Sequence, residues 1–253
     1  LKTVSIVAVM MIIYSCGNQN DTPENIIVKK NESDIISRQK KNDSLILFSK
    51  VKKNLINDLV DIQGINSTIL VELKYATSDN FMKMKLYAHM NKAYLQKDVA
   101  LRLSECQEYL TQMKPGFKLL VFDAVRPVSV QQKMWDALDS IPPVERGKFV
   151  SNPKNRSLHN LGAAIDLTIC DENGKPLDMG AGYDDIRKIA YPEMESFYLK
   201  SGDLTTKQIE NRELLRNVMR KEGFRNIPTE WWHFNACSRS EALKKYKILF
   251  EEP

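Results

Sequence analysis

Apolar side chains recur at helical spacing between residues 93 and 113, where Leu95, Val99, Leu101, Leu103, Cys106 and Leu110 predict one amphipathic helix. A short apolar run rich in strand formers follows, "FKLLVFDAV", and Arg126-Pro127 ends it. A second helix is expected next, with Ser129 as its N-cap ahead of "VQQKMWDAL". "IPPVERGKFVSNPKN" reads as a loop, "AAIDLTIC" as a strand and "DENGK" as the turn after it. Thr205 or Thr206 caps a further helix that reaches about Glu222, with Gly223 just past its end. "EWWHFNAC" supplies a last strand. Upstream, "STILVELKYATSDNF" alternates and then turns polar, which reads as a strand leading into a loop. Strands and helices alternate irregularly, with hairpin-like turns between strands. The pattern predicts an α+β fold with a largely antiparallel central sheet flanked by helices.

The first 60 residues follow a different pattern. Lys2 precedes the apolar run "VSIVAVMMIIYSC", which is too short for a comfortable membrane span and suits the core of a signal peptide. The run ends at Ser15-Cys16-Gly17, and a small residue before a cysteine resembles the bacterial lipobox, where the cysteine is lipidated. Residues 1–16 are therefore expected to be a lipoprotein-type signal segment, with Cys16 carrying the lipid. An ordinary cleaved signal or a short buried helix is the alternative. The expected location is the cell envelope, as a periplasmic or surface lipoprotein that meets the membrane through its anchor only. Residues 17–60 read as a polar tether. After the polar stretch, "LILFSKVKKNLINDLVDI" has helical spacing and is suited to docking on the domain at 61–253.

Composition narrows the chemistry. Hydrophobic residues make up 43% of the 253, enough for a sizeable core. The net charge of +5 is spread along the chain, without a basic stripe interleaved with aromatics, so nucleic acid is not an expected partner. Apart from Cys16 there are Cys106, Cys170 and Cys237, with no CxxC pair, which argues against a cysteine-based zinc site.

Histidine is scarce, and its placement matters. The chain has three, and His159 in "SLHNLGAAIDL" precedes Asp166 with small residues between them. Imidazole and carboxylate both suit zinc, though one histidine and one aspartate serve a structural role equally well. "PTEWWHF" adds Glu230 and His233. On a regular strand, residues three apart face opposite ways. Glu230 must therefore lie where the chain is still turning into the strand if both are to face one site. The alternative makes Trp231 and Trp232 core and His233 a satisfied buried histidine. Taken together the clusters offer three ligands for a catalytic metal, His159, Asp166 and His233, and a base, Glu230. His89, in "YAHMNKAYL", lacks such a context and reads as a surface or loop histidine. Cys170 and Cys237 each lie four residues beyond a proposed ligand. On antiparallel neighbouring strands they diverge by roughly 26 Å, too far for a disulfide.

These blocks resemble the D-alanyl-D-alanine dipeptidase family, the VanX-like zinc metallopeptidases within the hedgehog/D,D-peptidase group. "LKYATSDNF", "FDAVRP", "SLHNLGAAIDLT", "DMGAGYDD" and "EWWHF" match in the family's order. The resemblance implies a hedgehog/D,D-peptidase-like fold and one Zn2+ per chain on His159, Asp166 and His233. It implies Glu230 as general base and Arg126 as the arginine that steadies the transition state. It also implies Asp123 as the group orienting that arginine, Ser157 as a pocket residue, and Asp184 as the carboxylate that binds the substrate's free amine. Asp185 and Asp79 are the next candidates for the amine. The implied reaction is zinc-dependent hydrolysis of the dipeptide D-Ala-D-Ala to two D-alanines. A peptidoglycan D,D-carboxypeptidase or endopeptidase is the nearest alternative. A non-catalytic hedgehog-like binding module is the alternative of another class, and the presence of Glu230 argues against it, since a structural zinc needs no base.

Overall fold

The computed structural model describes residues 35–40 and 57–253. The signal segment 1–16, the lipidation of Cys16 and most of the tether lie outside the described residues. Residues 35–40 form a short, exposed helix, α1. From residue 57 the order is β1 (Leu59–Asp61), α2 (Ile62–Ile65), β2 (Leu70–Val71), β3 (Tyr94–Gln96), α3 (Lys97–Met113), β4 (Lys118–Asp123) and α4 (Val128–Ala137). There follow α5 (Pro143–Arg146), β5 (Ala164–Cys170), α6 (Glu195–Ser201), α7 (Thr206–Lys221), β6 (Arg225–Ile227), β7 (Glu230–Asn235) and α8 (Arg239–Lys245).

Five strands make the central sheet in the order β2-β4-β5-β7-β6. Only β2 and β4 run parallel, and the other neighbours are antiparallel. The α+β architecture with a largely antiparallel sheet is thus as expected. β5 is central and buried at every position, which is why it reads as an unbroken apolar run. Asp166 on β5 pairs directly with His233 on β7, so Cys170 and Cys237 run off opposite ends of the pair. Both are free thiols, as is Cys106.

Several local expectations change, and one is that Pro143–Arg146, inside the stretch read as a loop, form the short helix α5. Residues 94–96 are strand rather than the first turn of a helix, because they pair with β1. Helical spacing does not register a partner so far away in sequence. The same pairing makes 59–61 a strand where the docking helix was expected; the earlier part of that helix, up to residue 56, lies outside the described residues. Finally, α4 begins at Val128, Pro127 is its N-cap, and no side chain caps it. The N–H groups of Val128 and Ser129 donate instead to the carbonyls of Leu249 and Phe250, each at 3.0 Å. The C-terminal tail does the work of a capping side chain. By contrast α7 has its cap written locally: Thr205 and Gln208 form a reciprocal capping box, and Gly223 follows at φ +75°.

The loop from β5 to α6 carries Asp184 and is pinned from α7. Arg212, only 1% exposed, donates to the carbonyls of Met179 at 2.7 Å and Ile189 at 3.0 Å, and pairs with Glu195 at 3.3 Å. Gly180 in this loop has φ +74°, and a Cβ there would lie 2.2 Å from Cδ2 of Leu204. Gly180→Ala is expected to destabilise the domain by about 1–3 kcal/mol through strain and overpacking. Thermal unfolding measures this, and an unchanged midpoint would mean the loop is not packed as described.

Candidate metal centre and active site

Three side chains converge, His159 from the turn before β5, Asp166 from β5 and His233 from β7. His159 Nε2 lies 3.1 Å from His233 Nδ1 and 3.5 Å from Asp166 Oδ1. His233 Nδ1 lies 2.9 Å from the same Asp166 oxygen. A tetrahedral zinc with bonds of ~2.0–2.1 Å has ligand–ligand edges of about 3.3 Å. The three separations are those of one face of such a tetrahedron, so the residues fit the ion. Among the described residues this is the one cluster able to hold a metal.

The remaining ring nitrogens are committed elsewhere. His159 Nδ1 donates to the carbonyl of Ala124 at 2.5 Å, and His233 Nε2 to Oδ1 of Asn235 at 2.9 Å. With a metal bound, these outward bonds would leave the inward nitrogens, His159 Nε2 and His233 Nδ1, as lone-pair donors. Burial pushes the Asp166 carboxyl up, but the charges and hydrogen bonds of His159 and His233 outweigh it and hold Asp166 below the usual carboxylate range. Burial likewise opposes protonation of His233, yet its bond to Asp166 pushes it up to about 9. The site concentrates negative charge where a cation belongs.

The loop carrying His159 is latched to its neighbours. Asn160 Nδ2 donates to the Arg126 carbonyl at 2.7 Å and to Gln131 Oε1 at 2.8 Å, while its Oδ1 accepts from the Ser157 N–H at 2.7 Å. Ser157 Oγ donates to the same Gln131 oxygen at 2.9 Å. The Leu249 N–H bonds the Asn160 carbonyl at 2.8 Å, so the C-terminal tail holds this loop as well as α4.

Glu230 reaches the site through a break in the β6–β7 hairpin. Asn226 pairs with Phe234, but Ile227 pairs with Glu230, so one step on β6 faces four on β7. Trp231, Trp232 and His233 bulge out of the ladder. Asn226 Nδ2 replaces the missing bonds, donating to the carbonyls of Glu230 and His233 at 2.8 Å each. The bulge resets the alternation, and Glu230 Oε2 comes within 3.8 Å of His233 Nδ1. Burial in the cleft pushes its carboxyl above the ordinary value, partly offset by His233.

Arg126 is fixed on three sides. Its Nε and one terminal nitrogen donate to Oδ2 of Asp123 at 2.8 and 2.7 Å, and the latter also reaches Oδ2 of Asp166 at 3.3 Å. Its guanidinium lies over the Tyr75 ring, 4.8 Å from the centroid. Asp123 is fully buried and also accepts from Tyr87. Tyr75 in turn donates to Asp184, whose two oxygens lie 3.1 and 3.0 Å from the hydroxyl. Burial first, and then the charge of Asp166, push Asp184 well above the ordinary carboxylate range.

Arg126, Ser157, Asp184 and Glu230 all line one cleft of about 770 Å³ around the ligand triad. Asp185 does not line it: Arg187 holds that carboxylate at 2.9 and 2.6 Å. Asp79 is exposed and paired with Lys74. His89 is exposed beside Glu252. Sequence reasoning passed over Tyr75, Tyr183 and Asn235. Tyr183 donates to Oδ2 of Asp166 at 3.2 Å. Tyr75 sits inside "LKYATSDNF", and Asn235 lies two residues after His233 on a strand, so both carried a signal.

A family model described as D-ala-D-ala dipeptidase matches residues 56–249, a stretch that contains every one of these cleft residues. The chain belongs to this family. Within the dipeptidase family, the D-alanyl-D-alanine dipeptidase of Escherichia coli (strain K12) is 34% identical over 177 residues, covering 70% of this chain and 83% of that protein. The D-alanyl-D-alanine dipeptidase of Synechocystis sp. (strain ATCC 27184 / PCC 6803 / Kazusa) is 32% identical over 168 residues, covering 56% and 68%. Among solved structures, the LdcB LD-carboxypeptidase aligns over 75% of this chain and 72% of that one, at 19% identity and a TM-score of 0.42.

Proposed function

We propose that this metallopeptidase hydrolyses D-Ala-D-Ala to two D-alanines, with one zinc ion held by His159, Asp166 and His233. The single observation that carries the reading is the convergence of the three ligand atoms beside Glu230 and Arg126 in one cleft. When bound, zinc supplies Lewis-acid polarisation of the scissile carbonyl and acidifies water. Glu230 takes a proton from the attacking water and passes it to the leaving amine, and its raised affinity for protons suits both transfers. The guanidinium of Arg126 faces the oxygen on which negative charge develops. Asp123 and the Tyr75 ring keep that guanidinium in one orientation, so little reorganisation accompanies the reaction. Asp184 receives the substrate ammonium, while Ser157 lines the cleft near the metal ligands.

The carboxypeptidase alternative lacks a comparable observation, because a carboxylate dedicated to a free amine has no counterpart in an acylated peptide. The test is turnover of D-Ala-D-Ala, L-Ala-L-Ala and N-acetyl-D-Ala-D-Ala by the zinc-loaded protein, with metal analysis of His159→Ala and His233→Ala. Hydrolysis of the free D,D-dipeptide and loss of stoichiometric zinc in both variants are expected. Full zinc retention in both variants would refute the ligand set. As proposals beyond the cleft, Cys16 anchors the enzyme by a lipid and the cell envelope is its location; the motif at Ser15-Cys16-Gly17 supports this.

A further inference from the structure

Beyond His233 the cleft changes sign. Neighbouring strands lie ~4.8 Å apart, so the sheet sets an order of charged groups across it. Tyr75, which holds Asp184, follows β2; Asp123 ends β4; Asp166 lies on β5 and His233 on β7. The next strand is β6, where Arg225 pairs with Asn235. Cross-strand partners share a face, and Asn235 shares that of His233, two residues before it. Arg225 therefore stands on the metal's face of the sheet, and it lines the cleft together with Arg156 and Arg239.

These arginines have spare donors. Arg239 Nε donates to the Arg156 carbonyl at 3.1 Å, which sets the two residues side by side. Arg156 bonds the Pro153 carbonyl and lies over the Phe250 ring at 5.5 Å. Glu241, which feels the charge of Arg225, accepts from the Ser238 N–H at 2.8 Å. None of the three guanidiniums forms an ion pair among the described residues. Arg156 also holds φ 64° and ψ 121°, and among the described residues it and Asp184 are two of the three non-glycine residues with positive φ. Such conformations persist where the surroundings over-determine them and gather at ligand sites. Here one stands at each charged end of the cleft.

We infer that the arginine end is a subsite for a second carboxylate, carried on the side chain of the residue that leaves, so that the enzyme favours dipeptides with an acidic second residue. The inference rests on the proposed placement of the ammonium at Asp184. That placement points the chain from the β2–β4 side towards β7 and β6, the side on which the arginines line the same cleft. One guanidinium fork satisfies one carboxylate. The C-terminal carboxylate of D-Ala-D-Ala can occupy one of the three and leaves the others without a counter-ion.

The matched probes are D-Ala-D-Glu and D-Ala-D-Gln, which differ by a charge at nearly constant shape. The zinc enzyme is expected to show kcat/KM at least about tenfold higher for the acidic dipeptide, the worth of one charge-assisted bond. The ratio should shrink towards one in Arg225→Gln/Arg239→Gln and in high salt. Equal handling of the two by wild type, or a preference that survives in the double variant, would overturn the inference. D-Ala-D-Ala turnover by wild type is the separate control for the proposed activity. If that fails, calorimetric binding of the two probes to zinc-loaded Glu230→Gln still decides the subsite, through the same ratio.

Discussion

Glu230→Gln is expected to keep its zinc and to lower kcat by about 10²–10⁴, the usual contribution of a positioned base. The reason is geometric as well as chemical. The Glu230 side chain makes no hydrogen bond among the described residues and faces His233 Nδ1 at 3.8 Å. The fold uses its backbone, which pairs with Ile227 in the ladder and accepts from Asn226. An amide of the same shape therefore leaves the bulge, the ligand triad and the packing intact. It cannot take a proton from water or return one to the departing amine. Unfolding should move by less than about 0.5 kcal/mol, as for other changes that break no buried contact. Metal content, unfolding midpoint and kcat together separate the outcomes. Normal turnover with full zinc would show that Glu230 is a bystander. Loss of zinc would instead place it among the ligands.

How far the sequence could lead depends on where each determinant lies. α7 was legible because its start and stop are local: Thr205 and Gln208 cap each other, and Gly223 takes the left-handed turn. β5 was legible because a strand buried on both faces is an apolar run. β3 was not, since three residues became strand only through β1, more than 30 positions earlier. The start of α4 was misplaced for the same reason: its cap is the C-terminal tail, and no local residue advertises that. In the site, the requirement that Glu230 and His233 share a face demanded an irregularity, and the bulge opposite Asn226 supplies it. The Tyr75–Asp184 and Arg126–Tyr75 contacts join residues far apart in sequence, so a single chain read alone shows the residue types without their pairing.

Asp184→Asn is expected to erase most of the preference for a free amine. Burial and the charge of Asp166 press the Asp184 carboxyl well above its ordinary value. A substrate ammonium relieves that cost, and the two make a charge-assisted bond. An acetylated nitrogen brings no charge, so the wild-type enzyme should bind N-acetyl-D-Ala-D-Ala more weakly by about 2–5 kcal/mol, or roughly 30- to 4,000-fold at one decade per 1.4 kcal/mol. The choice of asparagine matters. Asp184 sits at φ +58°, a conformation that asparagine accepts about as readily as aspartate. The Tyr75 hydroxyl can still donate to the amide oxygen, in place of the bonds it makes to the carboxylate at 3.1 and 3.0 Å. The change therefore removes charge without imposing backbone strain, and Arg126 and the metal ligands are untouched. The measurement is kcat/KM for free and acetylated D-Ala-D-Ala on both proteins. Free-dipeptide turnover should fall in the variant while acetylated turnover stays low, so that their ratio collapses. Equal cleavage of both substrates by wild type would favour a carboxypeptidase. A wild-type preference that the variant retains would remove Asp184 from amine recognition, and neither Asp185, held by Arg187, nor Asp79, held by Lys74, lines the cleft to replace it.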